Sequence, residues 1–168
     1  MMKNLTLLFL SLAPTVTIAD QIKEAYADFF PMGMAVNAGT LGAGKPEYQD
    51  FIKRHFSVIT GENAFKWESL QPEEGHFDFT EADRIADFAR ANGLKLWGHA
   101  FAWHLQTPDW VFEDDGEPAS PELLKKRLED HIRTIVGRYK DITYGWDVVN
   151  EAISVKEDEF LRPSKWFS

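Results

Sequence analysis

A glutamate in the last third of the sequence stands where a buried strand would end. The segment 144–150 is apolar around Val148 and Val149, and Glu151 follows it directly. A carboxylate that emerges from a buried strand is costly unless it has a partner or a task. General acid/base catalysis is one such task, and pairing with a neighbouring lysine or a helix cap is the structural alternative. Spacing alone leaves both interpretations open.

A second group of polar and aromatic residues lies in the segment 98–106. It contains His99, Trp103, His104 and Gln106. Two histidines five positions apart on one strand point to opposite faces, which argues against a simple two-histidine metal site. A lone histidine in such a run is usually a hydrogen-bonded structural residue. The combination with a tryptophan and a glutamine favours a polar wall that binds sugar.

A third group, Glu62, Asn63, Lys66 and Trp67, follows another short apolar run. The glutamate, asparagine and lysine side chains can all hydrogen-bond vicinal hydroxyl groups, and Trp67 offers an apolar face or belongs to the core. A solvated turn would explain this group equally well. On its own it indicates little.

The elements that position these groups alternate between apolar runs and amphipathic helical patterns. Four strands are predicted, over 32–36, 56–60, 94–103 and 144–150. Helices are predicted over 47–55, from a Thr80 cap with Asp83 in a weak capping box to the Asn92-Gly93 stop, and from Ser120-Pro121 onward. The apolar face of the last helix is predicted to contain Leu124, Leu128, Ile132, Ile135 and Tyr139.

Strands that alternate with helices imply crossover connections and a parallel sheet. All three polar groups lie where a predicted strand ends, and the carboxyl ends of parallel strands are where barrels and doubly wound sheets bind ligands. No glycine-rich nucleotide motif follows any strand. The pattern therefore favours a barrel over a dinucleotide-binding fold.

Composition excludes several classes of partner and chemistry. The 168 residues carry a net charge of -9, which disfavours binding to nucleic acid or to an anionic membrane. The absence of cysteine removes disulfides, thiolate metal sites and cysteine nucleophiles together. Nothing in the sequence suggests a cofactor or a metal ion.

The first 19 residues have the pattern of a signal peptide. Lys3 precedes an apolar run, residues 5–12, and Thr17-Ile18-Ala19 offers a small-residue cleavage site. The alternative, a buried amino-terminal helix, is disfavoured by Pro14. We therefore expect a secreted or periplasmic protein whose domain begins at Asp20.

Several segments, taken together, resemble glycoside hydrolase family ten, the endo-1,4-beta-xylanases. WDVVNEA resembles the acid/base motif of the family, GHAFAWHLQTPDW its third-strand motif, and GENAFKW followed by QPEEGHFDF its second-strand motif and loop. HIRTIVGRYKD resembles the helix before the fourth strand, and the match runs from about residue 32 to 168. GENAF and HAFAWH depart from the usual family residues at packing positions and leave the polar residues unchanged.

The resemblance implies a role for each polar residue. Glu151 would be the general acid/base, Asn150 would hold the 2-hydroxyl of the sugar, and His104 would be an orienting residue close to the nucleophile. The remaining residues would bind substrate. His99 and Lys66 would contact the sugar at the cleavage site beside Trp103, and the next sugar would be bound by Glu62, Asn63 and Gln106.

The resemblance also implies that the chain is incomplete. A retaining glycosidase needs two carboxylates about 5–5.5 Å apart, and the family nucleophile lies on a later strand, beyond Ser168. Residues 20–168 would then be the amino-terminal four βα units of a (β/α)8 TIM barrel, inactive without a carboxy-terminal half. Glu62 as the second carboxylate is disfavoured because its predicted strand lies two strands away from Glu151.

The complete enzyme would hydrolyse internal beta-1,4-xylosidic bonds in xylan with retention of configuration. Two alternatives are a beta-1,4-glucanase of a related retaining barrel family and a non-catalytic half-barrel that binds xylo-oligosaccharide.

Overall fold

Four short apolar segments pair in parallel to form one sheet. The computed structural model describes residues 21–42, 44–156 and 158–167, so the predicted signal peptide, 1–19, lies outside the described residues. The strands are β1 (Gly33–Val36), β2 (Val58–Gly61), β3 (Lys95–Ala102), the hairpin pair β4 (Glu113–Asp114) and β5 (Glu117–Pro118), and β6 (Thr143–Val149). The sheet order is β1-β2-β3-β6, with all three pairs parallel. The predicted parallel sheet with crossover connections is confirmed.

Helices connect the strands and cover one face of the sheet. They are α1 (Ile22–Ala25), α2 (Pro46–His55), α3 (Trp67–Leu70), α4 (Thr80–Ala91) and α5 (Pro121–Tyr139), with 3-10 turns at Ala38–Leu41 and Asp109–Val111. The core lies between the sheet and α2, α4 and α5, and its fully buried members include Ile52, Ile59, Ile85, Leu96 and Ile135. Among the described residues, no helix is long and apolar enough to cross a membrane.

The predicted capping box of α4 is wrong. The helix begins at Thr80 itself, and its backbone N–H donates to Asp78 Oδ1 over 2.9 Å. Asp83 turns instead toward α5, where it accepts from Arg138 and, over 2.9 Å, from the Tyr139 hydroxyl. The hydrogen bond from Arg138 holds the pKa of the Asp83 carboxyl below its usual range. Asp83 therefore joins two helices rather than capping one.

Helix α5 begins as predicted, but its buried face is shifted. Ser120 Oγ accepts from the Leu123 N–H over 3.2 Å, and Pro121 occupies the first turn. The buried positions are Arg127, His131, Ile135 and Tyr139. Leu124, Leu128 and Ile132 of the predicted apolar stripe are only half-buried. Two polar residues thus occupy the centre of the face that packs against the rest of the protein.

Reciprocal glycine–tryptophan pairs hold β3 against β6. Gly98 lies opposite Trp146, and Trp97 lies opposite Gly145. A Cβ atom on Gly98 would lie 1.8 Å from the Trp146 ring, and one on Gly145 would lie 2.5 Å from the Trp97 ring. Trp146 also stacks on Phe101, with ring centroids 4.3 Å apart. Each indole therefore needs a residue without a side chain on the neighbouring strand.

Candidate active site

The three polar groups of the sequence meet at one edge of the sheet. They follow the carboxyl ends of β2, β3 and β6, which are neighbours in the sheet. Backbone hydrogen bonds tie the groups together: the Asn150 N–H donates to Ala102 O over 2.8 Å, and the Glu68 N–H donates to Gln106 O over 2.9 Å. The residues that follow three separate strands therefore lie together at one edge of the sheet, hereafter the cleft.

Lys66 is the centre of a cluster on the β2 and β3 side of the cleft. Its Nζ donates to Asn63 Oδ1 over 2.9 Å and to Gln106 Oε1 over 2.7 Å. The same ammonium lies 4.9 Å from the centroid of the Trp103 ring. This arrangement combines an apolar ring face with a donor and two amide groups, which is the chemistry that recognises the face and the hydroxyl groups of a sugar.

His99 is held by a carboxylate that the sequence analysis did not single out. Asp147 Oδ2 lies 2.8 Å from His99 Nδ1, and the two residues are register partners across β3 and β6. A carboxylate at this distance favours the tautomer with its proton on Nδ1, which leaves Nε2 as the free ring nitrogen. The His99 and Trp103 ring centroids are 6.1 Å apart, so His99 adjoins the Lys66 cluster.

Glu151 lies at the end of β6 in an unusual backbone conformation. Its φ is +53°, in the left-handed region that residues with a side chain rarely adopt. Its Oε2 lies 3.7 Å from His104 Nε2 on one side and 3.9 Å from the Arg162 guanidinium on the other. About half of the Glu151 side chain is exposed, at 47%. The carboxyl group is thus reachable from the cleft and is flanked by two nitrogen-bearing side chains.

A pocket of about 290 Å³ lies beside this carboxyl group. Its walls include Trp103, His104, Leu161 and Trp166. Trp166 Nε1 donates to Trp103 O over 2.8 Å, which fixes the tail of the chain against the end of β3. The pocket is mostly apolar, so the Glu151 carboxyl group lies at the boundary between water and an apolar wall.

A buried aromatic layer supports the Lys66 cluster from below. Trp67, which the sequence left open between the core and the cleft, is 1% exposed and belongs to the core. Its ring stacks on His131, with centroids 3.9 Å apart and an interplanar angle of 9°. His131 Nδ1 contacts Gln71 Oε1 over 2.9 Å, and burial lowers the pKa of His131 to about 3. The imidazole is therefore neutral at pH 7 and acts as a packing group.

The predicted site residues differ in the contacts that the structure gives them. It joins Asn63, Lys66, Trp103 and Gln106 in one cluster and brings His104 to Glu151. Glu62 and Asn150 also lie at strand ends, but within residues 21–42, 44–156 and 158–167 their side chains have no hydrogen-bond partner. Those two side chains remain available to a ligand. In the same ranges, no group of three or more histidine, aspartate or glutamate side chains is placed to hold a metal ion.

Two neighbours of the site, Asp147 and Arg162, were missed by the sequence analysis. Asp147 shares a segment with Glu151, but its partner is found only from the register of β3 and β6. Arg162 lies 11 residues after Glu151 and returns to it through a loop. Neither contact follows a short-range spacing rule, although the WDVVNEA segment contained one of the two residues.

Comparison with known proteins identifies one family and relatives that belong to it. The family model described as Glycosyl hydrolase family 10 matches residues 21–168. Endo-1,4-beta-xylanase A of Caldicellulosiruptor saccharolyticus is 47% identical over 165 residues, which cover 98% of this chain and 44% of that protein. The chain thus spans less than half the length of this relative.

Two solved structures have the same fold as this chain over most of its length. Xylanase XynB of Paenibacillus barcinonensis, in complex with a conduramine derivative, superposes with a TM-score of 0.82 at 44% identity, covering 91% of this chain and 45% of that chain. A mutant of TsXylA, an intracellular xylanase of Thermoanaerobacterium saccharolyticum, in complex with xylotetraose superposes with a TM-score of 0.79 at 42% identity, covering 87% and 47%. The predicted (β/α)8 barrel with only about four βα units present is confirmed.

Proposed function

Because the chain belongs to glycosyl hydrolase family 10, we propose that it is the acid/base half of an endo-1,4-beta-xylanase. The reaction is the hydrolysis of internal beta-1,4-xylosidic bonds in xylan with retention of configuration. The observation that carries the proposal is the position of Glu151, half-exposed at the end of β6 on the same sheet edge as the Lys66 cluster and His99. The xylan substrate is supported by the xylotetraose complex of the structural relative.

On this proposal, binding and chemistry use different side chains. Lys66 and His99 hydrogen-bond the sugar at the cleavage site, and Trp103 packs alongside it. Glu62, Asn63 and Gln106 bind the next sugar. Asn150 holds the 2-hydroxyl group beside the bond to be cut, and Asp147 keeps the His99 ring in one tautomer.

Glu151 acts twice in the proposed reaction. In the first step a carboxylate nucleophile attacks the anomeric carbon while protonated Glu151 donates its proton to the leaving oxygen. In the second step the Glu151 carboxylate takes a proton from the water that attacks the glycosyl intermediate, and the sugar leaves with its configuration retained. His104, 3.7 Å from Glu151 Oε2, orients this end of the cleft.

The nucleophile is supplied from outside these 168 residues. Glu62, at the end of β2, is separated from Glu151 by the whole of β3, whereas a retaining pair is about 5–5.5 Å apart. We therefore propose that the chain is inactive alone and works with a carboxy-terminal half. The predicted signal peptide further supports a secreted or periplasmic location.

The test joins residues 21–168 to the part of the Caldicellulosiruptor saccharolyticus xylanase that follows its matched region, hereafter the joined protein. The joined protein should release reducing sugar from xylan, whereas the 168-residue chain should release none. Glu151→Gln should lower the rate by about 100-fold or more, because it removes the general acid. Glu81→Gln, on the exposed surface of α4, is the matched control. The contrary outcome is that the 168-residue chain cleaves xylan and loses this activity on Glu151→Gln. That result would contradict the proposal that the nucleophile lies outside these 168 residues.

Three further measurements separate the alternatives. Proton NMR of the first product tests retention, since an initial alpha anomer would exclude it. Faster cleavage of carboxymethylcellulose than of xylan would favour the glucanase. Titration calorimetry that detects xylotetraose binding to the chain, with an inactive joined protein, would favour a non-catalytic half-barrel.

A further inference from the structure

The loop after β6 turns back and places an arginine against Glu151. Ile153 pairs antiparallel with Leu161, and the Ser154 N–H donates to Phe160 O over 3.1 Å. The Arg162 N–H then donates to Ala152 O over 2.8 Å. These backbone hydrogen bonds place the main chain of Arg162 beside that of Ala152, the residue that follows Glu151.

The Arg162 side chain contacts Glu151 at two points. Its Nε donates to the carbonyl oxygen of Glu151 over 3.0 Å, and its Nη2 lies 3.9 Å from the carboxylate Oε2. The guanidinium is planar and carries its donors in a fixed fork. One rigid group therefore restrains both the backbone and the carboxyl group of the same residue.

The backbone of Glu151 needs such a restraint. A φ of +53° is unfavourable for a residue with a side chain, at a cost of about 1–2 kcal/mol. Conformations of this kind persist only where surrounding contacts determine them, and they concentrate at functional sites. On the amino-terminal side of Glu151, the Asn150 N–H is bonded to Ala102 O, and on its carboxyl-terminal side the Glu151 carbonyl oxygen accepts from Arg162 Nε.

We propose that Arg162 is a positioning residue for the acid/base glutamate. It holds Glu151 in the left-handed conformation and directs the carboxyl group to the point from which it protonates the leaving oxygen. The inference rests on the proposed function and adds a residue to it. Arg162 itself does not touch the bond that is cut.

A positioning role makes a prediction that a structural role does not. If Arg162 acts through Glu151, its loss matters only when the first step needs an acid. Xylotetraose has a poor leaving group and needs the proton, whereas 2,4-dinitrophenyl xylobioside has a leaving group that departs without one. The value of kcat/KM reports the first step alone, so it separates the two cases.

The experiment compares Arg162→Met and Arg162→Lys with the unsubstituted joined protein. We expect Arg162→Met to lower kcat/KM for xylotetraose by about 10- to 100-fold and to leave kcat/KM for the dinitrophenyl substrate within about threefold. Arg162→Lys keeps the charge but cannot reach both contacts at once, so a smaller loss with the same selectivity is expected. Arg84→Met, an exposed arginine on α4, is the matched control and should change neither value.

The outcomes are distinct. Equal losses on both substrates, or no loss on either, would overturn the positioning role while leaving the proposed function intact. An unsubstituted joined protein that cleaves neither substrate would remove the proposed function and this inference together. If Arg162→Met does not fold, as judged by circular dichroism, the selectivity of Arg162→Lys decides the question in the same way.

Discussion

The side chains of the site divide into those that meet the cleft and those buried beneath it. Lys66 and Glu151 lie at the cleft and are in partial contact with water. His131, with no exposed surface, lies beneath Trp67 with one ring nitrogen on Gln71. A histidine in that position is kept neutral by the cost of burying its charge. It supports the cleft only while the pH leaves it unprotonated.

The stability of the joined protein should therefore decrease in acid because of His131. Its pKa of about 3 lies below the ordinary value of 6.5, so between these values the unfolded chain binds more protons than the folded protein. The free energy of unfolding should fall as the pH drops below 6.5, by up to about 1.4 kcal/mol per pH unit. Urea unfolding at pH 7, 6 and 5 measures this slope. His131→Leu should flatten it, and His76→Gln, at an exposed position, should not. Equal slopes in the unsubstituted joined protein and in His131→Leu would show that His131 is not the source of this pH dependence.

Between elements, the contact that matters most is the one that joins β3 to β6. His99 and Asp147 meet only because the two strands pair in one register. The Gly98–Trp146 and Trp97–Gly145 pairs lie directly beside that contact. Since a side chain on either glycine would push the strands apart, these pairs also determine whether the site forms.

Gly98→Ala should destabilise the joined protein, whereas Gly137→Ala should not. The new Cβ of Gly98→Ala would lie 1.8 Å from the ring of Trp146, which is stacked on Phe101. We expect a loss of about 1–3 kcal/mol or more. Gly137→Ala, in α5 with no atom within 4 Å, should instead stabilise by about 0.5–1 kcal/mol. Thermal melts of the two variants test this, and a similar melting midpoint for both would refute the packing argument.

On the scale of the whole molecule, the sheet formed by the described residues has two unpaired edge strands, β1 and β6. The β6 edge exposes Tyr144, Val148 and Val149 at 58%, 57% and 62%. The β1 edge is likewise unpaired among the described residues. Open edges with exposed apolar side chains promote association between chains. A half-barrel is therefore expected to be stable only when its edges are covered.

The 168-residue chain alone should aggregate or melt without a sharp transition, whereas the joined protein should be a monomer that unfolds cooperatively. Light scattering and calorimetry of both proteins measure this difference. Val148→Lys should reduce aggregation of the isolated chain by placing a charge on the β6 edge. Val155→Lys, exposed but outside any strand, is the control and should have little effect. A cooperative melt of a monomeric isolated chain would contradict the expectation.

The sequence alone determined the four strands of the parallel sheet and the helices α2, α4 and α5, and it predicted the polar residues of the site. Local rules were sufficient for this: apolar runs mark the strands, Ser120-Pro121 marks the start of α5, and polar residues follow the strand ends. The family motifs then assigned roles to Glu151 and Lys66. The family itself was confirmed by the match over residues 21–168.

Only the tertiary structure decided which residues meet. The His99–Asp147 pair depends on the register of β3 and β6, and the Arg162–Glu151 contact depends on a loop that folds back. Asp83 pairs with Arg138 on another helix rather than capping its own. Helical and strand periodicities describe neighbours along the chain, whereas these contacts join residues brought together by packing. These contacts stabilise the protein only after the elements have packed together, so no local pattern in the sequence indicates them.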